Sequence, residues 1–163
     1  MTSRERVLRA FEHRESDRIP IDFSGHRSSG IAAIAYVKLR DALGLPERPI
    51  HVYDSIQQLA VVEEDVRARF SVDTIEMGRG FSLSDGDWSD WTLPDGAACR
   101  LPAWVPVERR WKEWVLKSRM GTVLGRMPDG ALYFEQTHYP FLDSDDLAGL
   151  PKAFEECLWL SSA

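Results

Sequence analysis

The period of the hydrophobic pattern changes once along this chain, at about Gly78, and this change limits the folds open to it. Before Gly78, segments with helical spacing alternate with short segments typical of strands. Such alternation is typical of α/β proteins, in which right-handed crossovers join parallel strands. After Gly78 the helical spacing stops, and the turn sequence PDGA occurs twice, at 94–97 and 128–131. Because Asp-Gly turns connect paired strands, the second half is predicted to form an antiparallel meander.

The first half opens with a sequence signature of a helix N-terminus. Thr2 followed by Glu5 three residues later matches a capping box, and a helical apolar stripe follows it. Two strands and two further helices are predicted after this helix, the strands at 19–23 and 72–77 and the helices at about 31–43 and 54–70. In the second half, the segments CRLPAW, VERRWKEWVLKS, TVLGRM and LYFEQTHY are predicted as strands.

Composition excludes several classes of function. The formal net charge is −6 and the sequence pI is about 5.2, whereas binding to nucleic acid requires a basic face. The sequence holds no run of about 18 apolar residues, so no membrane partner is expected. The N-terminus lacks the apolar core of a signal peptide. Cys99 and Cys157 form no metal or redox motif, and we expect both thiols to be reduced in the cytoplasm.

Polar and charged residues follow both predicted strands of the first half. Asp22, His26 and Arg27 lie at or just beyond the end of the first strand, and Glu76 and Arg79 lie at the end of the second. Functional residues gather at the carboxyl ends of parallel strands, where neighbouring strands present them at one edge. We therefore predict Asp22 and His26 as catalytic residues, and Arg27, Glu76 and Arg79 as substrate-binding residues. For His26 and the two charges of the second strand, an ordinary solvated loop position is the alternative.

No metal site is predicted within this chain. The four histidines have no partner at i+4 and no neighbouring cysteine, so zinc ligation by these residues alone is not expected. Five of the six tryptophans lie between residues 88 and 114. We interpret this cluster as the packed aromatic face of a small sheet, and a stacking platform for a sugar or an aromatic ligand is the alternative.

Three blocks of sequence resemble one family, in the order in which that family has them. The opening RERVLRAFEHRESDRIPIDFSG is similar to the N-terminus of the uroporphyrinogen decarboxylase superfamily, particularly its decarboxylase-like and corrinoid-methyltransferase branch. The stretch HVYDSIQQLAVVEEDVRARFSVDTIEM resembles the second block of that family, and MPDGALYFEQTHYPFLDSDDLAGL resembles a hairpin of its methyltransferase-like members.

The resemblance implies a (β/α)8 barrel with its cleft at the carboxyl ends of the strands, and one of two chemistries. Decarboxylation of a tetrapyrrole would use an aspartate and several arginines, without a cofactor. Methyl transfer would use zinc, held by a histidine and cysteines, and a corrinoid partner. The segment SGHRSSG leaves only Arg27 where the decarboxylases have an arginine-rich loop, and the chain contains no His-x-Cys. Methyl transfer from a small methyl donor is therefore favoured, and tetrapyrrole decarboxylation is the alternative.

The expected fold is therefore α/β, in practice α+β: the N-terminal part of a (β/α)8 TIM barrel with an antiparallel meander inserted. The expected divisions are a barrel start over 1–78, the meander over 79–142, and a short helix and tail over 143–163. Members of the resembled family are usually more than twice as long, so we expect the chain to be the N-terminal portion of such a protein. Two parallel strands cannot close a barrel, so a homo-oligomer or a companion chain is expected to cover their apolar edges. The other alternative is a non-catalytic, truncated interaction module.

Overall fold

Where the structure describes it, the chain forms two four-stranded sheets, and three short helices lie before and between the first strands. The structure is a computed structural model that describes residues 1–77, 84–118, 120–139, 141–142, 147–151 and 153. These three helices are α1 (Ser3–Phe11), α2 (Ala33–Ala42) and α3 (Glu64–Arg69). No helix in the described ranges has the length and apolar character needed to cross a bilayer.

Helix α1 begins as the sequence predicts. The Thr2 hydroxyl accepts a hydrogen bond from the Glu5 amide, and the Glu5 carboxylate accepts one from the Thr2 amide, which completes the capping box. The buried side of this helix carries an ion pair rather than the apolar stripe. Arg6 is buried and donates hydrogen bonds to Asp17 and Asp73. These contacts hold α1 against the residues that follow it and against the segment 72–77. Phe11 remains exposed.

The first sheet contains β1 (Ile50–Asp54), β2 (Leu59–Ala60), β3 (Trp88–Thr92) and β4 (Ala98–Pro102), in the order β2-β1-β4-β3. Strands β1 and β4 are parallel, whereas β1–β2 and β3–β4 are antiparallel. Helix α2 packs against this sheet through Tyr36, which is fully buried, and the Tyr36 hydroxyl accepts a hydrogen bond from the Glu63 amide just before α3. The core between the helices and this sheet includes Val52, Ala60 and Val66.

The second sheet is an antiparallel meander of β5 (Val107–Arg110), β6 (Glu113–Lys117), β7 (Val123–Pro128) and β8 (Glu135–Gln136), ordered as in the sequence. Leu116, Leu124 and Phe134 form the centre of its core. The two sheets meet where the Trp91 and Trp114 rings lie edge to face, with 4.6 Å between their centroids. Both PDGA sequences form turns with a left-handed glycine, at Gly96 between β3 and β4 and at Gly130 after β7.

The expected fold class is wrong: the chain is neither a (β/α)8 TIM barrel nor the start of one. It consists mostly of small sheets, and among the described strands only β1 and β4 pair in parallel. The predicted strands at 19–23 and 72–77 are extended but form no ladder. Pro20 has no amide hydrogen to donate, and the Ile21 amide donates to the Asp73 side chain instead of to a neighbouring carbonyl.

The helix predicted over 54–70 is also wrong for most of its length. The Asp54 carboxylate accepts hydrogen bonds from the amides of Ile56 and Gln57 and so stabilises a turn. Leu59–Ala60 then pairs with β1, which leaves only Glu64–Arg69 for α3. The structure describes only part of the predicted short helix and tail over 143–163. This part is the 3₁₀ turn Leu147–Gly149 with a few residues after it. The rest, including Cys157, lies outside the described residues.

Candidate functional site

The candidate site lies where the two extended segments, 19–24 and 72–77, run beside each other near the end of β1. The Asp73 amide donates to the Ile21 carbonyl at 2.8 Å, which aligns the two segments. One step further along, the Thr74 hydroxyl donates to Asp22 Oδ1 at 2.6 Å. Ser24 and Glu76 follow on the two segments, and both side chains interact with Tyr53 of β1. The site therefore does not depend on the barrel strands that the sequence predicted.

Asp22 organises the turn that follows the first segment. Its Oδ1 also accepts from the Gly25 amide at 2.8 Å. A Cβ on Gly25 would lie 2.4 Å from both Asp22 Oδ1 and Thr74 Oγ1, so only glycine allows this approach. Partial burial works to raise the pKa of Asp22, but the hydrogen bonds it accepts, above all from Thr74, outweigh burial and hold the pKa below its usual value. Asp22 is thus a carboxylate at neutral pH.

His26 and Arg27 contribute to the next turn rather than pointing at Asp22. His26 Nδ1 accepts a hydrogen bond from the Ser28 amide at 3.2 Å, which makes the imidazole the cap of the 3₁₀ turn Arg27–Ser29. Arg27 Nη1 lies 3.6 Å from Asp54 Oδ2. The Asp54 side chain is only 2% exposed, and the Arg27 guanidinium balances its buried charge.

Glu76 faces a buried polar cluster that the sequence did not reveal. We call Ser24, Tyr53 and Glu76 the buried polar trio. Burial, and secondly the negative charge of Glu76, raise the pKa of the Tyr53 phenol well above its ordinary value, so it stays protonated. Ser24 Oγ and Glu76 Oε2 are both buried, and both side chains hydrogen-bond with the Tyr53 phenol. The trio is therefore a connected cluster of buried polar groups.

Two of the five predicted site residues, Asp22 and Glu76, lie on the two paired segments, where Asp22 contacts Thr74 and Glu76 interacts with Tyr53. His26 and Arg27 lie on the adjoining turn, and Arg79 lies outside the described residues. Sequence reasoning missed Ser24 and Tyr53. One signal for Tyr53 was present, since it is a polar aromatic residue in the short strand IHVY, immediately before the capping Asp54. Ser24 has a left-handed backbone, φ +68°, for which its residue type gives no warning.

The zinc expected for methyl transfer does not fit the residues that the structure describes. These residues include no group of three or more His, Cys, Asp or Glu side chains that could hold a metal ion. Cys99 is buried in β4, where burial raises the pKa of its thiol to about 12, so it is not the thiolate that zinc requires. Any zinc ligands would have to come from outside these ranges.

The tryptophan cluster packs mainly inside the protein. Trp88 is buried, and its ring lies 4.5 Å from that of His51. Trp91, Trp104 and Trp114 are partly buried against the second core. Trp111 is the exception and is almost fully exposed. Among the described tryptophans, the aromatic-platform alternative therefore has one largely exposed ring to build on, that of Trp111.

Comparison of this chain with protein-family models, with curated proteins and with solved structures finds no match in any of the three.

Proposed function

We propose that this chain forms one wall of a small-molecule site in a uroporphyrinogen-decarboxylase-like protein of the methyl-transferring branch. The observation that carries the proposal is the charge balance of the site. Asp22 and Glu76 bring two carboxylates to the paired segments, and the nearby Arg27 guanidinium already faces a third, that of Asp54. A neutral or cationic methyl donor suits such a wall, whereas a tetrapyrrole with eight carboxylates would meet like charges.

In this proposal each residue has a role that its contacts support. Asp22 is held ionised by Thr74 and accepts a donor group of the substrate. Ser24 and Glu76 interact with the protonated Tyr53, and the three together supply the buried polar groups of the wall. The corrinoid and zinc of methyl transfer would be bound by a companion chain or by other parts of the protein. We propose the cytoplasm as the location of this protein.

The test is calorimetric titration of the chain with two probes, tetramethylammonium as a small cationic methyl compound and uroporphyrin. We expect weak binding of tetramethylammonium that Glu76→Ala abolishes, and no binding of uroporphyrin. Glu47→Ala, at an exposed position in the connector before β1, is the matched control and should change neither result. Binding of uroporphyrin, weakened by Arg27→Ala, would instead support tetrapyrrole decarboxylation and overturn the proposal.

A second candidate, a non-catalytic interaction module, is favoured by a row of exposed apolar side chains on the same two segments. Ile19, Ile21, Ile75 and Met77 are exposed by 82%, 38%, 61% and 92%. All four lie on the two aligned segments and are open to solvent, so we infer that an apolar segment of a companion chain or a second copy would cover them. We call them the isoleucine row.

Light scattering on the chain, alone and with a co-expressed companion, tests this candidate. Ile75→Lys should abolish any complex that uses the isoleucine row. A complex that survives Ile75→Lys would show that this row is not the interface.

A further inference from the structure

We propose that Asp85 is a site of spontaneous modification, at which the peptide link to Gly86 rearranges to an isoaspartyl link. The sequence holds three Asp-Gly pairs, at 85–86, 95–96 and 129–130. Aspartate followed by glycine rearranges most readily, because glycine has no Cβ to hinder the approach of its nitrogen. Glycine follows the aspartate in all three pairs, so the sequence gives no order among them. The contacts in the structure do give one.

The rearrangement needs no reagent other than water. The glycine nitrogen attacks the side-chain Cγ of the aspartate, and a C–N bond forms. The carboxyl hydroxyl leaves as water with the amide proton, which closes a five-membered succinimide ring. Water then opens the ring at either carbonyl: one opening restores aspartate, and the other leaves the backbone running through Cβ and Cγ. Ring closure therefore requires that the nitrogen and the carboxyl are both able to approach each other.

The first pair has the least to break before this approach. Asp85 and Gly86 are exposed and lie in a single 3₁₀ turn, which the Asp87 amide closes by donating to the Ser84 carbonyl at 2.9 Å. The Ser84 hydroxyl and amide both donate to the Asp87 carboxylate, not to that of Asp85. Within the described ranges, neither the Asp85 carboxylate nor the Gly86 amide has a hydrogen-bond partner.

The second pair is held by hydrogen bonds at both of its reacting groups. The Gly96 amide donates to the Leu93 carbonyl at 2.8 Å, and Asp95 Oδ1 accepts from the Ala97 amide at 3.1 Å. The Leu93 amide donates in turn to the Ala97 carbonyl at 2.9 Å, so this turn continues the ladder of β3 and β4. Ring closure at this pair has to break the first two of these bonds.

The third pair is held at its carboxylate and at its backbone. Arg109 Nη2 lies 2.7 Å from Asp129 Oδ1, and the Asp129 amide donates to the Lys112 carbonyl at 2.9 Å. The carboxylate has to leave the guanidinium before it can turn toward the Gly130 nitrogen. Opening one hydrogen bond costs about 1 kcal/mol, which is a factor of about five in population. The first pair should therefore rearrange at least about fivefold faster than either of the others.

The rearrangement would alter the start of β3, which is an edge strand of the first sheet. The first pair of the β3–β4 ladder is Trp88 with Pro102, and the Asp87 carbonyl accepts from the Ala103 amide at 2.7 Å. An isoaspartyl link at Asp85 adds one methylene to the backbone just before these contacts. We expect the modified chain to lose the bond from Ala103, which faster amide hydrogen exchange at Ala103 would report.

Incubation of the folded chain at near-neutral pH, well below its melting temperature, tests the proposal. Isomerisation leaves the mass unchanged, so tryptic peptides are fragmented by electron transfer to locate the isoaspartate. The tryptic peptide 80–100 carries the first two pairs, and the chain contains no asparagine whose deamidation could give the same product. We expect isoaspartate at 85 to form at least about fivefold faster than at 95 or 129. In concentrated urea, where the contacts are lost, the three rates should converge.

Two variants test the reasoning at single positions. Gly86→Ala should remove isoaspartate at 85 without unfolding the chain, because no atom lies within 4 Å of the added Cβ. Arg109→Gln releases the Asp129 carboxylate and should raise the rate at 129 by up to about fivefold, with the rate at 85 unchanged. Isoaspartate that forms in the folded chain at 95 or 129 as fast as at 85, or that does not form at 85, would overturn the proposal.

Discussion

Replacing Gly25 with alanine should separate the two segments that build the candidate site. An added Cβ at this position would lie 2.4 Å from Asp22 Oδ1 and from Thr74 Oγ1, and 2.8 Å from Thr74 Cβ. The Asp22 oxygen is at the free end of its side chain and can turn away from the added carbon. Thr74 Cβ cannot move in this way because it is bonded directly to the backbone. The backbone of one segment therefore has to shift. The shift breaks the hydrogen bond between Thr74 and Asp22.

The magnitude follows from two opposing terms. Forcing an extra carbon into a closely packed position costs about 1–3 kcal/mol. Alanine also restricts the unfolded chain more than glycine does, which stabilises the folded state by about 0.4–1 kcal/mol. The free energy of unfolding should therefore fall by about 1–2 kcal/mol. For a chain of 163 residues this corresponds to a melting temperature about 2–8 °C lower.

Thermal and urea unfolding of Gly25→Ala beside Gly86→Ala would measure this effect. Gly86 has open space where a Cβ would be added and no left-handed backbone, so Gly86→Ala should be neutral or slightly stabilising. Proton NMR of the Thr74 hydroxyl and amide would report whether the contact with Asp22 is lost. Equal stability of the two variants, with the Thr74 signals unchanged, would show that the two segments do not approach as described.

Two further predictions concern the first sheet. Burial, and secondly the charge of Arg100, lower the pKa of His51, so the unfolded chain binds a proton at a higher pH than the folded chain does. The stability present above about pH 6.5 should therefore fall as the solution is acidified toward pH 5. His51→Gln should remove this part of the pH dependence in calorimetric scans. Tyr36→Phe leaves the Glu63 amide without its acceptor and should lower the unfolding free energy by about 1 kcal/mol in urea titrations, whereas Tyr133→Phe, at an exposed position, should change it by less than about 0.5 kcal/mol.

Local chemistry could be predicted from this sequence, and pairing between distant segments could not. The capping box at Thr2, helix α2 and both PDGA turns depend on neighbouring residues and are confirmed. The strands predicted at 19–23 and 72–77 failed because their outcome depends on distant partners. The side chain of Asp73 competes for the Ile21 amide, and nothing near Ile21 in the sequence indicates this.

The same distinction between local sequence information and long-range pairing applies to the candidate site. Asp22 and Glu76 were predicted because each ends a segment with the hydrophobic pattern of a strand, and their roles stay predictions. Tyr53 joins Glu76 through a third segment whose position depends on its pairing with β4. The ion pair of Arg27 with Asp54 could not be predicted for a related reason, since Asp54 lies 27 positions away.

The parallel pairing of β1 with β4 affects how the chain can fold during synthesis. Ile50 pairs with Cys99, 49 positions later, and β4 separates β1 from β3. At about 5–20 residues per second, β4 leaves the ribosome roughly 2–10 s after β1. During that interval the hydrogen-bonding edge of β1 that β4 will occupy has no strand beside it. A nascent chain paused between these strands would therefore present an open β edge to chaperones and to other nascent chains.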